Sequence, residues 1–146
     1  MMGIALVMGR ILGIDYGERR IGVAISDATR TIATPLAVIQ YVRIEEACRD
    51  IARRLEETGA EKIVVGMPIS LGGFRGASAH HVESFTEKLK GVVTVPVETW
   101  DERFTTTTAE KALIEGGTRR NRRKQVIDKL AAQIMLQHYL DAQAGS

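Results

Sequence analysis

The chain has 146 residues and carries 20 Lys and Arg against 18 Asp and Glu, so its formal net charge is +2. This length predicts one domain, residues 1–146, that buries roughly two thirds of the surface its unfolded chain exposes. A single cysteine, Cys48, excludes an internal disulfide and most metal sites built from cysteines alone, and it fits a reducing cytoplasm.

The first eight residues read MMGIALVM. They contain no basic region, and the segment is too short to be the apolar part of a signal peptide or a membrane span. No later apolar run approaches membrane-spanning length. We therefore expect a soluble, cytoplasmic protein with no membrane partner.

The first predicted strand reads ILGID, residues 11–15, and ends on Asp15. Consecutive apolar residues indicate a strand buried on both faces, where a carboxylate needs a partner or a metal ion. Gly17 is expected to turn the chain with a positive φ, and residues 20–27 then alternate as a second strand, antiparallel to the first. Asp15 is thus expected at the mouth of a sheet, although this stretch alone is equally compatible with a structural Asp in a turn.

Strands and helices follow one another in the middle of the chain. Residues 31–39 predict a third strand at an edge or a bend, because they contain Pro35. Apolar residues at helical spacing predict two helices, and short apolar runs predict two further strands. The helices cover 44–55, ended by Gly59, and 79–89, ended by Gly91; the strands cover 62–67 and 92–100.

The carboxyl-terminal part is predicted to be helical. Thr107 and Glu110 have the spacing of a capping box, which starts a short helix ended by two glycines at 116–117. A final helix covers 126–141. The element order β-β-β-α-β-α-β-α-α predicts a three-layer α/β fold, with a mixed five-stranded sheet and helices on both faces.

Acidic side chains follow two of these strands and begin the last helix: Asp15, the pair Asp101 and Glu102, and Asp128. Functional groups of α/β sheets collect beyond the strand ends. Gathered carboxylates repel one another unless they bind cations or their pKa values rise. Their oxygens suit Mg²⁺ or Mn²⁺, whereas no Cys and His spacing supports zinc. The adjacent histidines at 80 and 81 are expected to be exposed at a loop–helix junction.

Alternation along the fifth strand divides its residues between the two faces of the sheet. The sequence does not determine which face of this strand lies on the side of Asp15. Because the predicted strand ends here, we expect both Asp101 and Glu102 to contribute to the metal site. Trp100 could stack on a base, although packing in the core is the commoner role of a tryptophan. One face carries Val97, Thr99 and Asp101, and the other carries Glu98, Trp100 and Glu102.

A basic run precedes Asp128. Such a run is usually a solvated face, but this one adjoins the carboxylates and follows two glycines. A basic patch beside a carboxylate site fits a substrate with a phosphate backbone. The run contains Arg119, Arg120, Arg122, Arg123 and Lys124.

Four segments resemble, in order and spacing, the YqgF/RuvX family of RNase H-like nucleases. They are 13–17 (GIDYG), 65–68 (VGMP), 100–106 (WDERFTT) and 126–132 (VIDKLAA), and the resemblance covers about residues 10–140. It implies an RNase H-like fold and maturation of the 5′ end of pre-16S rRNA during ribosome biogenesis, with ribosomal particles as expected partners. The family is also described as a Holliday junction resolvase by likeness to RuvC, which implies branched DNA instead.

The resemblance also implies roles for individual residues. The catalytic and metal-binding carboxylates would be Asp15, Asp101 or Glu102, and Asp128, in a two-metal site for Mg²⁺ or Mn²⁺. Nucleic acid would be bound by the basic run together with Arg103 and Ser70. The chain departs from the family in residues 70–76, SLGGFRG, where the family usually has Asn-x-Asp-Gly-x-x-Gly. An amide and a carboxylate are absent there, so the resemblance does not imply a substrate or metal contact from this loop.

Two other classes are compatible with part of the sequence. Sugar kinases and actin-like ATPases also open with a strand, an Asp and a Gly-rich hairpin, but they need a second lobe that 146 residues cannot supply. A nucleic-acid-binding module without catalysis would carry the same basic run. Both a monomer and a homodimer are compatible with the sequence, and a junction resolvase would need two sites.

Overall fold

The computed structural model describes residues 9–67, 77–101 and 120–144, with backbone only at 77, 78 and 120–129. Strands and helices follow one another much as the sequence predicts. In chain order they are β1 (Ile11–Asp15), β2 (Arg20–Ser26), β3 (Ala33–Gln40), α1 (Ile44–Thr58), β4 (Lys62–Met67), α2 (Ala77–Lys90), β5 (Val97–Asp101) and α3 (Arg120–Ala144).

The strands form one five-stranded sheet in the order β3-β2-β1-β4-β5. The β1–β2 and β2–β3 pairs are antiparallel, and the β1–β4 and β4–β5 pairs are parallel. The mixed sheet is therefore confirmed. Because β1, β4 and β5 run in the same direction, their last residues meet at one edge of the sheet, which we call the carboxyl edge.

Pro35 lies on β3, an outer strand of the sheet, as predicted. The pairing register shifts here, because Ala37 pairs with Val23 while Pro35 pairs with Ala24. Proline has no N–H to donate to a ladder, so an outer strand with a bulge accommodates it.

Apolar side chains cover both faces of the sheet. On one side, the α1/α2 face, Leu12 and Val65 belong to the same buried cluster as Ile51 and Phe85 of the two helices. On the other, the α3 face, a second cluster joins Ile11 to residues of α3. Each large side chain buried in this way contributes about 1.5 to 3 kcal/mol. The predicted three-layer arrangement is confirmed.

Helix α1 ends at Gly59, as its sequence predicts. Gly59 has φ 71°, and its N–H donates to the Leu55 carbonyl. This left-handed end suits glycine because a side chain would be strained there. Cys48 lies on the buried side of α1, and burial raises the pKa of its thiol, which agrees with a packing role.

Two predicted boundaries are wrong by five residues or more. The fifth strand begins at Val97 and not at residue 92, because the N–H groups of Val92 and Val93 donate to the Leu89 carbonyl and form the turn after α2. Helix α3 begins at Arg120, six residues before the predicted start at 126. Positions 120–124 of the basic run are therefore helical.

Three sequence predictions lie outside the described residues: the segment 1–8, the loop 70–76 and the short helix expected between 107 and 117. Among the helices described, none has both the length and the apolar character required to cross a bilayer.

Candidate active site at the carboxyl edge of the sheet

Asp15 is the last residue of β1, and the sheet determines where it lies. It pairs with Gly22 of β2 and follows Ile14, which pairs with Val65 of β4. Because side chains alternate along a strand, Asp15 shares the α3 face with Ile11 and not the opposite face with Ile14. The half-buried Asp15 therefore stands on rigid backbone at the carboxyl edge, as predicted.

Helix α3 runs against the direction of β1. Its late residue Tyr139 contacts Lys62 at the start of β4, and Leu136 lies over Gly13 in the middle of β1. Earlier positions of α3 therefore extend toward the carboxyl edge.

Position 128 of α3 has the spacing to reach that edge. It precedes Leu136 by about 12 Å along the helix axis, whereas Asp15 is about 7 Å beyond Gly13 along β1. It also lies one heptad before the fully buried Met135, on the same side of the helix. The helix backbone thus carries position 128 to the end of β1 where Asp15 lies.

The structure determines which face of β5 meets Asp15. Val97 packs against the cluster on the α1/α2 face, whereas Trp100 packs against the cluster on the α3 face. Alternation therefore places Glu98 and Trp100 on the same face as Asp15, and Asp101 on the opposite one. The Trp100 ring meets the Tyr139 ring edge to face, with centroids 5.3 Å apart, so this tryptophan has a packing role.

Asp101 and Asp15 share the carboxyl edge without lying side by side. Asp101 pairs with Met67, the last residue of β4, and is half-buried. One strand lies between β1 and β5, which separates their backbones by about 10 Å. Within the residues that the structure describes, no three His, Cys, Asp or Glu side chains gather in a metal-binding group. The donors that are described there, carboxylate oxygens, are of the kind that Mg²⁺ prefers.

The remaining predicted site residues are described in part or not at all. Four of them, Ser70, Glu102, Arg103 and Arg119, lie outside the described residues, and five have only a described backbone on α3. These five are Arg120, Arg122, Arg123, Lys124 and Asp128.

The turn after Asp15 differs from the prediction in its backbone. Gly17 does not have a positive φ. A β-carbon at this position would instead lie 2.4 Å from the carbonyl oxygen of Arg20, so glycine is required by close contact across the turn. The Tyr41 hydroxyl donates to the Gly17 carbonyl at 2.6 Å. Sequence reasoning missed Tyr41, because no local pattern links residues 24 positions apart.

Sequence reasoning also missed a polar network under Trp100. The Lys62 Nζ donates to the Tyr139 hydroxyl at 2.7 Å and forms an ion pair with Glu98, while the Tyr139 hydroxyl donates to Glu98 Oε1 at 2.7 Å. Burial opposes both charges, yet these contacts raise the pKa of Lys62 and lower the pKa of Glu98. The network joins β4, β5 and the end of α3.

The two adjacent histidines are exposed, as expected, but they lie within α2 and not at its junction with a loop. Their side chains are 72% and 53% exposed. His81 Nδ1 is 3.3 Å from a Glu18 carboxylate oxygen, so α2 contacts the turn that follows Asp15.

Comparison with known proteins agrees with this architecture. A family model described as "RuvX: Holliday junction resolvase" matches residues 9–142. Two curated relatives carry the name "Putative pre-16S rRNA nuclease". That of Caldanaerobacter subterraneus subsp. tengcongensis is 46% identical over 94% of this chain and 99% of its own length. That of Desulforamulus reducens is 44% identical over 92% and 98%.

Solved structures of resolvases and nucleases share the fold. The RuvC of T. thermophilus in complex with a Holliday junction substrate aligns with a TM-score of 0.60 at 20% identity, covering 94% of this chain and 97% of that one. The fowlpox virus Holliday junction resolvase aligns with a TM-score of 0.53 at 13% identity, covering 91% and 99%. At these identities the likeness shows the RNase H-like fold.

Proposed function

The chain belongs to the RuvX family, and from this premise we propose that it is a metal-dependent nuclease that hydrolyses phosphodiester bonds in structured nucleic acid, with pre-16S rRNA as its substrate. The observation that carries the proposal is the position of Asp15. It ends a central strand on the same face of the sheet over which α3 brings position 128 to the carboxyl edge.

Carboxylates at this edge would hold two Mg²⁺ or Mn²⁺ ions. When bound, such a pair activates a water, orients the scissile phosphate and stabilises the leaving oxygen. Asp15 supplies a donor on the α3 face, and Asp128 of α3 is proposed as the donor facing it. The sheet and the packed helix preorganise these two positions, which is what a metal site requires of its ligands.

The third ligand comes from the end of β5. Asp101 lies on the face away from Asp15 by alternation, so the next residue in an extended continuation would lie on the α3 face. We therefore assign the larger contribution to metal binding to Glu102 and a smaller one to Asp101. Asp101 is the last described residue of β5, at the carboxyl edge, and Glu102 follows it directly in the chain.

The basic run would hold the nucleic acid. Positions 120–124 form the first turns of α3, and Lys124 precedes Asp128 by one helical turn. Cations at this place attract phosphates and bring the backbone beside the carboxylates. Three further residues are proposed to bind the nucleic acid: Arg103, which follows β5 in the chain, Arg119, which precedes α3, and Ser70, which follows β4.

Two nucleic-acid substrates agree with the names of the similar proteins. The curated relatives' name favours pre-16S rRNA, and with it cytoplasmic ribosomal particles as partners. The description of the matching family model favours the second candidate, a Holliday junction resolvase in DNA recombination and repair. That activity cuts two strands and would need a homodimer, whereas RNA maturation is compatible with a monomer.

One comparative experiment tests the proposal. Purified protein is incubated with Mg²⁺ or Mn²⁺ on three labelled substrates: a pre-16S RNA fragment, a single strand of equal length and a four-way junction. We expect metal-dependent cleavage of the RNA fragment, its loss in excess EDTA, and a fall of about 10² or more in rate for Asp15→Asn. Preferred cleavage of the junction would favour the resolvase. Binding without cleavage of any substrate would favour a non-catalytic module.

A further inference from the structure

Tyr41 joins the connection after β3 to the turn between β1 and β2, which follows Asp15. It is the first residue after β3, and its hydroxyl donates to the Gly17 carbonyl at 2.6 Å. Its backbone N–H donates to the Arg19 carbonyl at 3.2 Å. The turn between β1 and β2 is therefore held by two hydrogen bonds from a residue in the connection between β3 and α1.

This turn has little freedom of its own. A β-carbon at position 17 would lie 2.4 Å from the Arg20 carbonyl oxygen, so the backbone doubles back tightly two residues after Asp15. On the side of α2, the Tyr16 ring packs on the Phe85 ring with centroids 4.9 Å apart. Phe85 is 1% exposed and belongs to the core. The turn is thus held between Tyr41 on one side and Phe85 on the other.

The Tyr41 hydroxyl is held in its neutral form, which is the form that donates a hydrogen bond. Burial raises the pKa of Tyr41, and the neighbouring Tyr16 hydroxyl and Glu18 carboxylate raise it further. A neutral phenol donates to a carbonyl, whereas a phenolate cannot. The Gly17 carbonyl therefore keeps this partner.

We propose that Tyr41 is a positioning residue for Asp15: by holding the Gly17 carbonyl it fixes the turn after β1 and so the direction in which the Asp15 carboxylate meets a metal ion. The inference rests on the proposed function, because it assigns Tyr41 to the support of that metal site. Metal-binding carboxylates need placement within about 0.5 Å, and the groups that orient them change metal affinity when removed.

The test compares two Tyr→Phe variants, each of which loses one hydroxyl and keeps its ring. Tyr41→Phe loses the contact to Gly17, and Tyr139→Phe is the matched control, because its hydroxyl lies in the network with Lys62 and Glu98 at the start of β4. For both variants and the wild type we would measure the Mg²⁺ concentration for half-maximal RNA cleavage, Mn²⁺ binding to the protein alone, RNA binding in EDTA and the melting temperature.

We expect Tyr41→Phe to raise the half-maximal Mg²⁺ concentration about tenfold and to weaken Mn²⁺ binding to the same extent. Saturating Mg²⁺ should restore most of the rate, and RNA binding in EDTA should stay within about twofold of wild type. Tyr139→Phe should leave the Mg²⁺ dependence within about twofold, even where it lowers the melting temperature.

An unchanged Mg²⁺ dependence in Tyr41→Phe, or an equal shift in Tyr139→Phe, overturns the role of Tyr41 and leaves the proposed nuclease intact. If the wild type binds Mn²⁺ but cleaves nothing, the nuclease proposal fails while Mn²⁺ affinity still decides on Tyr41. A wild type that neither binds Mn²⁺ nor cleaves overturns both.

Discussion

Leu136 of α3 lies so close over Gly13 of β1 that a β-carbon on residue 13 would be 2.9 Å from the Leu136 β-carbon. The helix that carries Asp128 therefore packs directly against the strand that carries Asp15. Only a residue without a side chain permits this approach. The distance between helix and strand sets the distance across the proposed metal site.

Gly13→Ala is expected to push α3 away from the sheet. The inserted methyl should cost about 1 to 3 kcal/mol of unfolding free energy, as overpacking of a core does, and it should also lower the cleavage rate. Gly91→Ala is the control, since its β-carbon would approach no atom closer than 3.3 Å. Urea unfolding and a rate measurement on both variants check this. Equal losses in the two variants would contradict the role of the Gly13 contact.

Glu102→Gln is expected to lower the rate more than Asp101→Asn, by about 10² against about tenfold. The reason is alternation, which places Asp101 on the face of β5 away from Asp15. Single-turnover rates at saturating Mg²⁺ distinguish the two variants. Full activity in both would exclude a ligand from the end of β5.

Asp128→Asn is expected to stabilise the metal-free protein while it inactivates the enzyme. Two carboxylates that face one another across a site repel, and the amide removes the repulsion at almost constant shape, worth about 1 kcal/mol. Its rate should fall by about 10² or more. Mg²⁺ should then stabilise the wild type more than the variant.

The contrasting outcome would identify a different role for Asp128. Because α3 begins at Arg120, position 128 lies beyond the first turn, where the helix dipole acts, so an Asp128 that binds no metal would contribute little to stability. In that case the melting temperature of Asp128→Asn would fall or stay constant, with little loss of rate. Melting curves with and without Mg²⁺ decide between the two roles.

Arg122→Ala combined with Arg123→Ala is expected to weaken binding to all nucleic-acid sequences alike. Each lost phosphate contact should flatten the slope of log K against log salt by roughly 0.7 to 0.9. The control is Arg49→Ala with Arg53→Ala on α1, at the opposite face of the sheet. Filter binding over a salt series measures both slopes. An unchanged slope in the first variant would mean that the basic run is a solvated face.

Asp27→Asn is expected to remove a pH-dependent part of the stability. Hydrogen bonds from the Ile32 N–H, the Thr29 hydroxyl and the Thr31 N–H lower the pKa of Asp27 from 3.8 to about 2. The stabilisation by this carboxylate is therefore complete above pH 3.8 and is lost as the pH falls through about 2. Unfolding curves of wild type and variant should converge over that interval. A constant difference down to pH 2 would contradict the assignment.

Local sequence patterns were sufficient for most of the fold. Apolar runs and alternation identify all five strands, and helical spacing identifies α1 and α2, because these patterns reflect which side of each element is buried. These patterns fail at boundaries. Residues 92–96 were predicted as strand but precede β5, because backbone hydrogen bonds to Leu89 form a turn there, and residues 120–125 were not predicted as helix but belong to α3.

The sequence by itself determined that Asp15 ends a buried strand, and it predicted that Asp101 and Glu102 alternate between two faces. Only the tertiary structure decided which of those faces Asp15 shares, since that depends on which helix covers each side of the sheet. The same holds for Gly13 under Leu136 and for Tyr41 on Gly17. These contacts join residues far apart in the chain, and the chain must fold before either partner affects the other.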